Sequence, residues 1–361
     1  MESTVKISTE NDLDRQVHVV AKKEFNKVNI IMPILVIIPI ITFILSFTVG
    51  RYGISAGEIM KIFISKLLGL PANWSANVET VIFKVRIPRI LAAMLVGAAL
   101  SMSGAAYQGL FKNPMISPDI LGASAGAGFG AAVGILFSFG IAGIQLSSFL
   151  FGIGAVVLTF IISSIVGKGN NAVLVLVLTG MVVSTLFSSF ISMTKYLADP
   201  NSKLPAITFW LMGGLSTIGI SDVKVILIPI IAGSVPLILL RWKLNVLSFG
   251  EEEANALGVD TRKIRAVIII CSTLLTAASV SICGMIGWVG LIIPHLARMI
   301  VGPNYKVLLP ASFLIGSTFL LVVDDVARSA FSLEIPLGIL TSLIGAPFFL
   351  YLLLKGKKGW I

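Results

Sequence analysis

Runs of about 20 apolar residues recur along this chain, and a helix of that length is what crosses the hydrocarbon core of a bilayer. They occupy 30–50, 86–110, 119–139, 145–167, 172–194, 223–241, 307–328 and 336–354. Another apolar stretch covers 264–301. As one straight helix it would measure about 57 Å, nearly twice the core, so it is expected to form two spans. Gly284, Gly287 and Gly290 supply the break, and Pro294 a kink in the second piece. The expected fold class is an all-α integral membrane protein of about ten transmembrane helices.

Composition supports a bilayer as the solvent. Hydrophobic residues make up 56% of the chain and charged residues 12%, against roughly 25% charged in an average soluble domain. The net charge of +10 is not a nucleic-acid footprint, because the basic residues lie between apolar runs. They fit positive-inside topology instead. Residues 1–29 form a polar, mixed-charge tail, so no secretory leader is expected and the first apolar run is retained as a span. That tail carries Lys6, Arg15, Lys22, Lys23 and Lys27, and the tail at 355–361 carries Lys355, Lys357 and Lys358. An even number of spans puts both tails on one side, the cytoplasm, around a permease domain at 30–354.

The outer connection from 51 to 89 departs from that rule, holding Arg51, Lys61, Lys66, Lys84, Arg86 and Arg89. Ser55 with Glu58 three later predicts a capped helix there. Such outward positive charge suits an acidic surface outside the membrane, or lipid headgroups. The segment 206–217 is apolar but too short to cross, and reads as a partial helix at the outer face or an interfacial anchor through Trp210.

At an offset of 180 residues the chain weakly matches itself: Ala98 with Ala278, Ser101 with Ser281, Gly104 with Gly284, Pro114 with Pro294, Gly122 with Gly302. The spans concerned are five apart, which makes this a weak inverted repeat, a common transporter architecture. Gly122, Gly126, Gly130 and Gly134 line one face of the third span and predict close backbone packing. Cys271 and Cys283 are about 18 Å apart on one helix, beyond disulfide reach. With two histidines and two cysteines, none at ligand spacing, no metal site is expected.

The most informative stretch is the cytoplasmic loop 242–263. Ser248 and Glu251 predict a second capping box, and Glu251, Glu252 and Glu253 fall at the positive end of the helix dipole. Gly258 is placed to end that helix in a left-handed conformation, and Asp260 to cap the next one. Ala254, Leu257 and Val259 have nothing within the loop to cover them. A short rigid helix with a small apolar face suits docking on another protein. An ordinary loop on the membrane surface is the plain alternative.

Several stretches then resemble one known family in order along the chain. They are Arg86-Ile-Pro-Arg-Ile-Leu-Ala, the run from Gly97 to Pro114, Pro118-Asp-Ile-Leu-Gly122, Trp210-Leu-Met-Gly-Gly214 and the Gly250–Gly258 loop. The series continues with Gly287-Trp-Val-Gly-Leu-Ile-Ile-Pro-His295, Leu308-Leu-Pro310, Asp325-Val-Ala-Arg328, Leu333-Glu-Ile-Pro-Leu-Gly338 and Gly345-Ala-Pro347. The chain resembles the FecCD/BtuC-type permeases, the transmembrane subunits of type II ABC importers for ferric siderophores, haem or vitamin B12. The resemblance implies a homodimer with the pathway between subunits, two ATPase subunits that carry ATP and Mg, and an extracytoplasmic substrate-binding protein. It implies that the loop residues Ser248, Gly250, Glu251, Glu252, Glu253, Ala254, Leu257 and Gly258 dock on the ATPase. Arg86, Arg89 and Arg328 would pair with glutamates of the binding protein, and Asn171, Val173 and Leu174 match the cytoplasmic gate. The gate match is loose, because small hydroxyl residues often stand there in relatives.

The chain is expected to be non-catalytic. A phosphate-binding loop needs Gly-x-x-x-x-Gly-Lys-Ser/Thr. Gly167-Lys168 and Gly356-Lys357 are followed by neither Ser nor Thr, with Ile162 and Tyr351 at the first-glycine position. ATP is therefore expected on partner subunits. An ion-coupled secondary transporter is the rival, for which Asp324, Asp325 and Arg328 are the nearest coupling residues. Their place at the outer end of a span favours docking or local pairing. An intramembrane enzyme has no supporting pattern. The resemblance leaves ferric siderophore, haem and corrinoid open as cargo and implies iron chelates first, as the commonest cargo of the family.

Overall fold

In the computed structural model, residues 10–71, 74–167, 172–330 and 332–355 are described, and among them every regular element is helical. In chain order these are α1 (Glu10–Ser46), α2 (Ala56–Leu67), α3 (Ala76–Thr80), α4 (Ile87–Leu110), α5 (Ala123–Leu136), α6 (Ile141–Val166), α7 (Ala172–Leu197) and α8 (Lys203–Met212). There follow α9 (Ile220–Leu239), α10 (Arg241–Phe249), α11 (Glu251–Ala256), α12 (Thr261–Cys283), α13 (Val289–Val301), α14 (Tyr305–Ser329) and α15 (Leu337–Lys355). Seven helical segments are long and apolar enough to cross a membrane. The three remaining expected spans are shorter apolar helices, Ala123–Leu136, Val289–Val301 and Leu337–Leu352. The expected boundaries shift by a few residues at several helices, and two shift by ten or more. Helix α1 starts at Glu10, so the polar tail is in part a helical extension of the first span. Helix α3 runs through a π turn (Val81–Arg86) into α4, lengthening the second span outward.

The bundle is built around α4. Its small residues let neighbouring backbones approach closely. Gly97 lies against the carbonyl of Gly316 on α14, and Gly104 against that of Gly290 on α13, where any side chain would collide. Hydroxyl and amide groups tie the contacts together. Ser103 Oγ donates to Ser272 O of α12 at 3.1 Å, and Gln108 Nε2 donates to Leu291 O of α13 at 3.1 Å. Helix α1 is the opposite case. Ile30, Ile34, Ile37, Ile41 and Ile44 are exposed, which is tolerable only where lipid replaces water.

Three of the four glycines at fourfold spacing do what their pattern predicts. Gly126, Gly130 and Gly134 of α5 face Phe151, Ser147 and Ile144 of α6. Gly122 lies just before the helix, at φ +91°, as its left-handed N-cap. The 264–301 stretch breaks at Gly284 (φ +70°), whose Cα faces the carbonyl of Trp210. Gly290, by contrast, packs inside α13. The short helix α8 overlaps the 206–217 segment expected to hold a partial helix, starting three residues earlier, at Lys203, and ending at Met212. Of the residues equated by the offset of 180, Gly122 and Gly302 are both left-handed. Gly104 and Pro114 sit in a helix interior and a turn, while Gly284 and Pro294 sit at a helix end and inside a helix.

Candidate functional site

Residues with functional promise gather at the two ends of the bundle. At one end, α10 and α11 meet at Gly250 (φ +147°), and α11 closes at Gly258 (φ +76°). Gly258 N donates to Asn255 O at 2.9 Å and Val259 N to Ala254 O at 2.9 Å, the paired bonds of a Schellman motif. Asp260 caps α12 as expected, accepting from Lys263 N at 3.1 Å. That backbone bond, with the Lys263 side chain, holds the Asp260 carboxyl below its ordinary pKa.

Two expectations for this loop are corrected. Ser248 makes no capping box with Glu251. Helix α10 continues through Phe249, so Ser248 is already helical and donates to Asn245 O at 2.6 Å. The N-cap is Gly250, without a side-chain bond. Nor are all three apolar residues bare. Ala254 and Val259 are buried within the closed turn, and Leu257 alone of them is exposed. The other exposed large apolar residue of this loop is Phe249 at the end of α10, 72% accessible, which the sequence marks only by its place before a glycine. Three polar links brace the element. Glu251 pairs with Arg265 on α12, Asn255 Oδ1 accepts from Thr261, and Asn245 bonds Asn304 and the amide of Tyr305 at the start of α14, both at 2.8 Å. The carboxylates of Glu252 and Glu253 remain at the surface.

At the other end, Arg86, Arg89 and Arg328 come together as the sequence suggested, but all three are buried. Arg89 Nη2 pairs with Asp324 at 2.9 Å and its Nη1 with Glu334 at 2.9 Å. Arg328 pairs with Asp325 and donates to Ser46 O at 2.6 Å. Arg86 donates to the carbonyls of Phe47 and Tyr52. These last carbonyls flank Gly50 (φ +140°), which leaves room for the Arg86 guanidinium where a Cβ would crowd it. Burying this much charge requires such pairing. Among these carboxylates Glu334 is the most open, with a 36% exposed side chain. It borders a cavity of about 320 Å³ into which Arg89 and the segments at Trp210–Gly214 and Cys283–Gly284 also open.

Of the gate residues, Val173 is half-buried and Leu174 exposed at the start of α7, while Asn171 lies outside the described residues. One feature on the same helix escaped sequence reading. Thr185, Ser188, Ser189 and Ser192 are exposed on α7. Each donates to the carbonyl four residues earlier, at 2.9, 2.9, 3.1 and 3.0 Å, so their oxygens face outward with lone pairs free. The signal was present as four hydroxyls in an otherwise apolar run. Among the described residues, no cluster of histidine, cysteine or carboxylate could hold a metal ion.

The FecCD transport family profile matches residues 36–355. The chain belongs to the FecCD transport family. The molybdate import permease MolB of Haemophilus influenzae is 44% identical over 326 residues, covering 90% of this chain and 95% of that protein. The cobalamin import permease BtuC of Halobacterium salinarum is 41% identical over 278 residues, 76% of this chain and 73% of that protein. A solved structure of an inward-facing metal-chelate type ABC transporter superposes with a TM-score of 0.81 at 42% identity, covering 90% of this chain and 99% of that one. This FecCD-family chain is thus the multi-pass membrane permease of an ABC importer, a non-catalytic transport subunit of a system with ATPase and binding-protein components.

Proposed function

We propose that this permease works as a homodimer, both termini cytoplasmic, and imports an iron chelate or corrinoid by alternating access. Two ATPase subunits carrying ATP and Mg drive it, and an extracytoplasmic binding protein feeds it. The observation that carries this reading is the braced helix α11, whose closed turn leaves Leu257 exposed, as Phe249 is at the end of α10. A rigid knob of that kind transmits a partner's movement to α12, to which Glu251 ties it, while Asn245 of the preceding α10 is tied to the start of α14. The hydroxyl face of α7 supports a pathway at the subunit interface, since lipid offers those oxygens no donor. The Val173–Leu174 end of that helix would then act as the gate.

At the outer end, Arg86, Arg89 and Arg328 would receive the binding protein by exchange. An incoming carboxylate replaces an internal one, first at the half-open Arg89–Glu334 pair. A second cargo is favoured by a specific observation: the 44% identical relative is a molybdate permease. Co-reconstitution with the ATPase and binding protein in vesicles separates the readings. ATP-dependent uptake of a labelled iron chelate or corrinoid is expected, and uptake of molybdate alone would move the assignment to the oxyanion. Uptake by the isolated permease on an ion gradient would overturn the ABC reading.

A further inference from the structure

Between α6 and α12 the molecule carries a two-part groove that the transport reading leaves without a role. Its polar part, a cavity of about 570 Å³, lies beside α11 and is bordered by Ser163, Ser164, Asn255, Arg262 and Arg265. Its apolar part, about 250 Å³, is bordered by Val156, Val157, Ile269, Ile270 and Leu274. Phe160 and Ala266 border both, so the two parts are continuous along the helix pair.

We propose that this groove binds one anionic phospholipid of the cytoplasmic leaflet, its phosphate on Arg262 and Arg265 and an acyl chain along the α6–α12 seam. Arg262 is exposed. Arg265 gives a guanidinium nitrogen to Glu251, while its buried Nε has no hydrogen-bond partner. An orphaned donor beside a second guanidinium favours an anion with several acceptor oxygens. The dimensions agree. From Arg262 to Leu274 is about 18 Å along a helix, and one leaflet is about 15 Å deep, half the ~30 Å core. Val157 and Ile270, 49% and 59% exposed, give the chain an apolar floor. A basic pocket between spans at the cytoplasmic surface is where headgroup charge is concentrated. Because Glu251 opens helix α11, an occupant here would steady the element that meets the ATPase.

The leaflet named rests on the topology proposed above, but binding in detergent does not depend on it. The test is native mass spectrometry of the full purified chain with added phosphatidylglycerol or phosphatidylcholine. The expected result is retention of one phosphatidylglycerol at least about tenfold more strongly than phosphatidylcholine. Arg262→Gln should abolish the difference, and Val157→Trp should lower retention of both lipids, with elution position and circular dichroism unchanged. Equal retention of the two lipids by the unaltered chain would overturn the proposal. So would displacement of the lipid by millimolar inorganic phosphate, which would make this a free-anion site. If Val157→Trp instead turns dimers into monomers by light scattering, the groove is an interface between copies and the proposal falls.

Discussion

The two ends of the bundle carry charge in opposite ways. At the end where Arg86, Arg89 and Arg328 meet, three buried arginines and three carboxylates are packed together, with Arg89 and Asp324 almost fully enclosed. At the α10–α11 end, exposed carboxylates stand on a helix only six residues long, with the exposed apolar Phe249 and Leu257 just before and just after it. Both regions read as docking surfaces in the sequence. The structure separates a region whose charges stand open to the surface from one whose arginines are already engaged by internal partners.

That contrast can be broken by mutation. Arg89→Ala should have the largest effect, about 3–5 kcal/mol of stability, because it strands a buried carboxylate. Thermal unfolding in detergent would show it, and a melt close to that of the unaltered chain would mean Asp324 is not held as described. Next, Ala254→Leu overfills the closed turn of α11 and should cost about 1–3 kcal/mol. The same assay checks it, and no loss would mean Ala254 is as exposed as Leu257. Phe249→Ser with Leu257→Ser should leave unfolding unchanged and weaken ATPase-subunit binding about tenfold, or 1.4 kcal/mol. Titration by light scattering or calorimetry reads this, and intact affinity would refute the coupling role. Glu334→Gln is the smallest change, at most about 1 kcal/mol for a partly exposed pair. It should nevertheless raise stimulation of ATP hydrolysis by the binding protein, since Arg89 Nη1 is released. Unchanged or reduced stimulation would defeat the exchange idea.

Much of the coupling end was legible because its signals are local. Gly258 and Asp260 sit within a few residues of the amides and carbonyls they serve, and both behave as their positions predict. Ser248 failed for an equally local reason, since one more turn of α10 absorbed it. At the arginine end the sequence showed a cluster of basic residues and the local Asp325–Arg328 pair, but no long-range partner. Arg89 and Asp324 are 235 positions apart, and nothing in either neighbourhood announces the other. The hydroxyls of α7 fell between these cases. Their spacing was readable, whereas the face they occupy depends on which neighbours cover the rest of the helix.

Sequence alone determined that the chain is an all-helical membrane bundle, that the long apolar stretch divides near Gly284 and which glycines of α5 admit a neighbouring backbone. Those properties follow from apolar length against bilayer thickness and from steric limits at single residues. Only the tertiary structure decided which arginines are sealed by carboxylates, that Ala254 is buried while Leu257 is not, and that α6 and α12 leave a groove between them. Each depends on residues distant in the chain being brought together, and burial then sets whether a charge is a binding group or an internal brace.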